Sequence, residues 1–236
     1  MINKVKSQIQ SLNLSQLENQ RTTSQKDRIN VLGVTGSLRQ DSYSTLGLKI
    51  VLEEAIKYGS ESYLLDLREL NLPLYNPGGP PTSNESTSNS TSKNALERTA
   101  TALKWADALI LASPDYHGSM SGTLKNFLDY FWEEFAGKTF GYIVASHEKG
   151  LTVADQMRTA IRQCYGWSMP YNISINGEKD FDSKGTLVNS TLAKRLKMLA
   201  RDLVIYGTLI RKQFLSDVAD HKISDSFASH YRSYYN

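Results

Sequence analysis

Short apolar runs alternate five times with longer stretches of helical periodicity, and that rhythm constrains this chain more than any single residue does. The runs are INVLGVT (29–35), SYLLDL (62–67), ALILAS (108–113), TFGYIVAS (139–146) and YNISI (171–175). The intervening helices are expected from about Tyr43 to Tyr58, Ala95 to Trp105, Met120 to Phe135, Thr152 to Tyr165 and Leu187 to Tyr206. Strands that alternate with helices form a parallel sheet covered on both faces. A run such as 108–113, apolar without alternation, fits a strand buried on both sides. The expected domain spans residues 29–214, and 40% hydrophobic content is enough for one sizeable core.

Two polar segments interrupt the pattern. Residues 1–28 read as an N-terminal arm, and 76–94 (NPGGPPTSNESTSNSTSKN) as a low-complexity loop with almost nothing to bury. Residues 215–236 read as a polar C-terminal tail. The arm carries the whole formal charge of +3, through Lys4, Lys6, Arg21, Lys26 and Arg28 against Glu18 and Asp27. The rest is therefore neutral, and a nucleic-acid partner is not expected. No apolar run reaches the ~18 residues of a membrane span. A single cysteine, Cys164, fits a packed position in a reducing, cytoplasmic setting. The four histidines and one cysteine lack metal-ligand spacing, and there is no G-x-S-x-G elbow for a hydrolase.

In a sheet of this kind ligands sit beyond the carboxyl ends of the strands. The unusual loops all fall there: GVTGSLRQDSYST (33–45), SPDYHGSMSG (113–122) and SHEKG (146–150). In the first, Thr35, Ser37, Ser42, Ser44 and Thr45 offer more hydroxyls than one helix cap needs. Gly33 and Gly36 allow close backbone approach, and Arg39 adds charge, so the loop suits a phosphate at a helix start. It spells neither G-x-x-x-x-G-K-[ST] nor G-x-G-x-x-G, which leaves ATP and dinucleotides without their usual supports. A plain strand-to-helix connection remains the structural alternative.

GSLRQDSYS resembles the G-S-x-R-x-x-S-x-[NS] phosphate loop of the NADPH-dependent FMN reductase family, and SPDYHGSMSGTLKNFLDYF (113–131) resembles that family's S-P-E-Y-N-x-S-x-x-G-x-L-K-N-x-x-D-W signature. The resemblance covers roughly residues 29–206. It implies a flavodoxin-like three-layer sandwich with a five-stranded parallel sheet of order 2-1-3-4-5. It further implies that Ser37, Arg39, Ser42 and Ser44, with Thr45 beside them, surround the FMN phosphate. Pro114, Asp115, Tyr116, His117 and Gly118 would line the isoalloxazine. In the third flavin loop only Ser146 and Gly150 match the glycine-rich S-x-G-G-x-G run that relatives often carry, and His147 stands between them as a further cofactor contact. Asp115, His117, Ser121 and Tyr130 also depart from the commoner Glu, Asn, Pro and Trp.

The activity implied is hydride transfer from NADPH or NADH through FMN to a second acceptor, such as free flavin, a quinone or an azo compound. The cofactor carries that chemistry, so no protein nucleophile is expected. The family's azo-dye, quinone, chromate and organoarsenical branches share the plan. A flavodoxin-type electron carrier, for which the acidic surface is missing, and a non-catalytic interaction protein are the competing readings. The aromatic stripe Phe127, Tyr130, Phe131, Trp132 and Phe135 is more than one sheet face is expected to cover, which points to a homodimer or homotetramer.

Overall fold

The computed structural model describes residues 28–78 and 88–235. Most of the expected arm (1–27) and the centre of the expected loop (79–87) lie outside the described residues. The strands are β1 (Asn30–Thr35), β2 (Glu61–Asp66), β3 (Ala108–Pro114), β4 (Thr139–Ala145), β5 (Trp167–Ser168) and β6 (Ile173–Ile175). All pairings are parallel, in the order β2-β1-β3-β4-β5, with β6 also on β4. The expected order holds, but its fifth position is shared by two short pieces. Trp167 and Ser168 pair with Thr139 and Phe140 at the start of β4, and Ile173–Ile175 pair with Ile143–Ala145 at its end.

The sheet's two faces are read off alternate residues of each strand. Leu32, Val34, Leu109, Leu111, Phe140, Tyr142 and Val144 point into one apolar cluster. Val31, Ala108, Ile110, Ala112 and Ile143 point into the other. The first cluster is closed by α3 (Ser88–Trp105), α4 (Gly122–Tyr130) and α5 (Leu151–Gln163), and the second by α1 (Tyr43–Lys57) and α7 (Ser190–Ala219). Between them come one-turn helices α2 (Leu67–Leu70) and α6 (Gly177–Asp180), and a final α8 (Arg232–Tyr235). A strand with both faces covered has no need for polar alternation, which explains the continuous apolar runs.

Three expectations require correction. First, α3 begins at Ser88, so residues 88–94 are helix rather than loop; a polar first turn adds to a helix whose Ala95, Thr99, Ala102 and Leu103 are buried, since propagation from an existing helix is easy once its nucleus is packed. Second, α7 runs 30 residues to Ala219, and residues 215–235 are not merely a polar tail. Val218, Ala228 and Tyr231 close a third cluster with Ala136 and Phe214. Arg211 pairs with Asp107 at 3.3 Å and lies 4.7 Å from the Tyr235 ring centroid, tying the end of the chain to the sheet. Third, α4 stops at Tyr130, and the aromatic stripe is largely the chain's own core. Phe127, Phe131 and Phe135 are buried and pack on one another at 5.6–6.4 Å. Only Trp132, 57% exposed, stands clear, so the stripe's size no longer argues for an interface.

Candidate active site

Beyond Thr35 the chain leaves the sheet, and the Gly36 amide donates to the Ala112 carbonyl at 2.9 Å, which holds the first loop against β3. A Cβ on Gly36 would stand 2.7 Å from both Leu124 Cβ and Ser121 Oγ, so this closeness is open only to glycine. Ser42 caps α1 by accepting from the Thr45 amide at 3.3 Å. Its hydroxyl also meets Ser44 Oγ at 3.2 Å and Thr45 Oγ1 at 2.8 Å, and Thr45 Oγ1 in turn meets Thr35 Oγ1 at 2.6 Å. Thr45 is therefore a buried link in the hydroxyl chain, engaged with protein groups on both sides. Ser37 is buried and accepts from the Arg39 amide at 3.2 Å. The Arg39 side chain is exposed, with no hydrogen bond or ion pair among the described residues. Ser42 caps the Thr45 amide, and the earlier amides of α1's first turn have no intrahelical partner, which leaves donors and a cation around one helix start.

The second loop is a tight hairpin. Tyr116 and Ser119 exchange backbone hydrogen bonds at 3.0 and 3.1 Å across His117 and Gly118, whose φ angles are 57° and 75°. Two central residues of positive φ define a type I′ turn, the geometry that reverses a chain in two residues. Asp115 fixes the turn by accepting from the Gly118 amide at 2.8 Å. Its other oxygen accepts from Ser146 Oγ at 2.9 Å, which joins the second loop to the third. Pro114 is half-buried at the end of β3, while Tyr116 and His117 project as exposed side chains at the turn.

Ser121 and Gln156 complete this arrangement, and neither is among the expected site residues. Ser121 caps α4 by accepting from the Leu124 amide at 3.2 Å and donates to the Gly36 carbonyl at 2.7 Å. One hydroxyl thus starts a helix and locks the first loop to the second. The cap was legible as a serine ahead of an apolar helical pattern; the cross-link was not. Gln156, half-buried on α5, accepts from Ser119 Oγ at 3.0 Å and the Met120 amide at 3.1 Å, and donates to the Gly118 carbonyl at 3.3 Å. No sequence signal marks it, because it acts on a segment 36 residues away.

The third loop leaves β4 at Ser146 and enters α5 through Gly150. Gly150 has φ 58° and is buried, and a Cβ there would lie 2.5 Å from Val144 Cγ1. β6 and the residue after it hold this loop: Asn176 Nδ2 donates to the His147 carbonyl at 2.9 Å and Ser174 Oγ to the Glu148 carbonyl at 3.3 Å. The His147 side chain remains exposed. Asp115 and Gly118 of the second loop face Glu148, Lys149, Gly150 and Thr152 across a cleft of about 680 Å³, within the usual size of small-ligand sites. Among the described residues no group of His, Cys, Asp or Glu could hold a metal.

All three loops therefore meet at one edge, beyond the carboxyl ends of β1, β3 and β4, on a flavodoxin-like sheet. Residues 29–180 match the NADPH-dependent FMN reductase family, and the chain belongs to it. It is an oxidoreductase of that family, with FMN as cofactor and NAD(P)H as co-substrate. It is 28% identical over 201 residues to the NAD(P)H-dependent FMN reductase of Pseudomonas aeruginosa, covering 78% of this chain and 98% of that protein. To the FMN-dependent NADPH-azoreductase of Staphylococcus aureus it is 28% identical over 181 residues, covering 73% and 92%. The structure of FerB, a flavoenzyme NAD(P)H:(acceptor) oxidoreductase from Paracoccus denitrificans, shares the fold with a TM-score of 0.60 at 18% identity, covering 78% of this chain and 98% of that one.

Proposed function

We propose that the chain is an FMN-dependent NAD(P)H reductase whose second substrate is a small oxidised molecule, a quinone, azo compound or free flavin, and that the three loops hold the cofactor. The observation that carries this reading is their cross-linking at one strand edge, through Ser121 to Gly36 and Asp115 to Ser146. The residues suit FMN. Ser37, Arg39, Ser42 and Ser44 place hydroxyl donors, open amides and a guanidinium where a phosphate would sit, while Thr45 backs them from within the hydroxyl chain. Pro114, Asp115, Tyr116, His117 and Gly118 form a rigid hairpin wall for a flat ring system. Ser146, His147 and Gly150 bring backbone to the opposite side of the cleft.

Bound there, FMN supplies a two-electron carrier between nicotinamide and acceptor. The protein's part is to bind, orient and leave one face open. Tyr116 is 53% exposed at the cleft edge, as a wall for an incoming planar substrate requires. A homodimer or homotetramer remains part of this reading, and the single half-buried cysteine suits a reducing cytoplasm. The deciding experiment is anaerobic NADPH addition to the purified yellow protein, followed by steady-state turnover with free FMN, a quinone and an azo dye. Bleaching and reoxidation by one of the three support the reading. Flavin that stays oxidised makes the chain a carrier and overturns it.

A further inference from the structure

A second cavity, of about 420 Å³, opens where β4 begins, between Arg158, Arg162, Tyr165, Trp167 and Phe227. The seven residues of β4 separate it by about 20 Å from the cleft at the carboxyl edge. We propose that it is a second ligand site, for a planar aromatic molecule that carries a carboxylate or sulfonate. The assignment does not depend on what occupies the first cleft.

Tyr165 is held in an unusual conformation for a bulky residue. It follows α5 with φ 57°, a position at which helices commonly place glycine. The available glycine, Gly166, is next in the chain and is taken for packing: a Cβ there would stand 2.5 Å from Ile161. The Tyr165 amide donates to the Arg162 carbonyl at 3.1 Å, and the Gly137 amide donates to the Tyr165 carbonyl at 3.1 Å, so the strained residue is fixed from both sides. The outcome is a ring 54% exposed, lying within 20° of parallel to Phe227 at 6.4 Å between centroids. Trp167, 49% exposed, tilts against the same Phe227 at 6.4 Å. Three adjoining, partly exposed aromatic rings give the cavity an apolar wall against which a further ring can pack.

The charge beside them is specific. Arg158 is committed: it donates to Asp155 at 2.8 Å and Asn172 at 3.1 Å, and lies 5.6 Å from the Tyr142 ring centroid. The Arg162 guanidinium has no hydrogen bond or ion pair among the described residues and lies at the cavity rim. One uncompensated guanidinium calls for one anion, and its planar fork matches a carboxylate or sulfonate. The Ser168 hydroxyl is already shared with Tyr142 at 2.6 Å, so the guanidinium is the polar contact a ligand would gain. A volume of about 420 Å³ fits a one- or two-ring molecule.

Calorimetric titration of the full-length, FMN-loaded protein tests this, with naphthalene-2-sulfonate, neutral 2-naphthol and methanesulfonate as probes. The expected result is one site for the sulfonate, binding of 2-naphthol weaker by about tenfold, and none for methanesulfonate. Arg162→Gln, an exposed substitution, should weaken the sulfonate about tenfold with an unchanged melting temperature and leave 2-naphthol untouched. Phe227→Ala should weaken both aromatic probes. The proposal is overturned by absence of binding at millimolar sulfonate, by equal affinity in Arg162→Gln, or by displacement with NADPH, which would put the probe in the first cleft.

Discussion

Replacing Gln156 by Leu tests whether one side chain holds the hairpin that we propose to face the flavin. The substitution conserves most of the volume but removes two acceptor contacts, at 3.0 and 3.1 Å, and one donor contact at 3.3 Å. The last is near the outer limit for such bonds and contributes little. The Ser119 hydroxyl is free to turn to water, whereas the amide of Met120, a residue 9% exposed, is left without its partner. A buried donor stranded in this way costs about 1–3 kcal/mol. Because α5 and the sheet do not depend on the hairpin, the cost falls on its local ordering. FMN, which binds the ordered form, should lose affinity by about 5- to 150-fold, the same free energy as a ratio. Titration followed by flavin fluorescence reads the loss, and circular dichroism checks the fold. Gln156→Glu keeps an acceptor for Ser119 and Met120 but sets a carboxylate oxygen against the Gly118 carbonyl, so it should lose less affinity than Gln156→Leu. A folded Gln156→Leu protein with wild-type FMN affinity would refute the reasoning.

Three further outcomes are expected. Arg39→Ala combined with Ser37→Ala removes an unpaired guanidinium and a buried hydroxyl from the first loop; with charged hydrogen bonds worth about 1.5–3 kcal/mol, equilibrium dialysis should show FMN affinity at least tenfold lower, and unchanged affinity would place the phosphate elsewhere. Gly150→Ala forces a Cβ to 2.5 Å from Val144 at φ 58°, an overpacking that costs about 1–3 kcal/mol and should lower the melting temperature by several degrees. In alkali, burial and the negative charge of Glu61 push the Tyr63 hydroxyl from 10.0 up to about 12. Below pH 10 both states keep this proton and stability is constant; above it the unfolded chain ionises first, so stability falls towards pH 12. Melting temperatures across that window should fall less steeply in Tyr63→Phe, and an identical slope would show that Tyr63 does not contribute.

The sequence alone determined the layers and the edge at which the candidate site lies, while the strand order followed from its resemblance to a family. Buried parallel strands leave an unbroken apolar signature, and the loops that break it, at 35–45, 113–122 and 146–150, are necessarily on one edge when every strand points the same way. The hydroxyl-rich first loop was equally legible, because its parts are neighbours in the chain. Only the tertiary structure could decide what holds the loops to one another. Ser121 reaches Gly36 across 85 positions, Gln156 reaches Gly118 across 38, and Asp115 reaches Ser146 across 31. Hydrogen bonds between distant segments have no local pattern to announce them. The same limit concealed the splitting of the fifth strand between two ends of β4, the docking of the last residues around Phe214, and the burial of an aromatic stripe that the sequence presented as surplus. In each case the deciding quantity is how much surface the rest of the fold leaves uncovered, and that exists only once the chain has closed on itself.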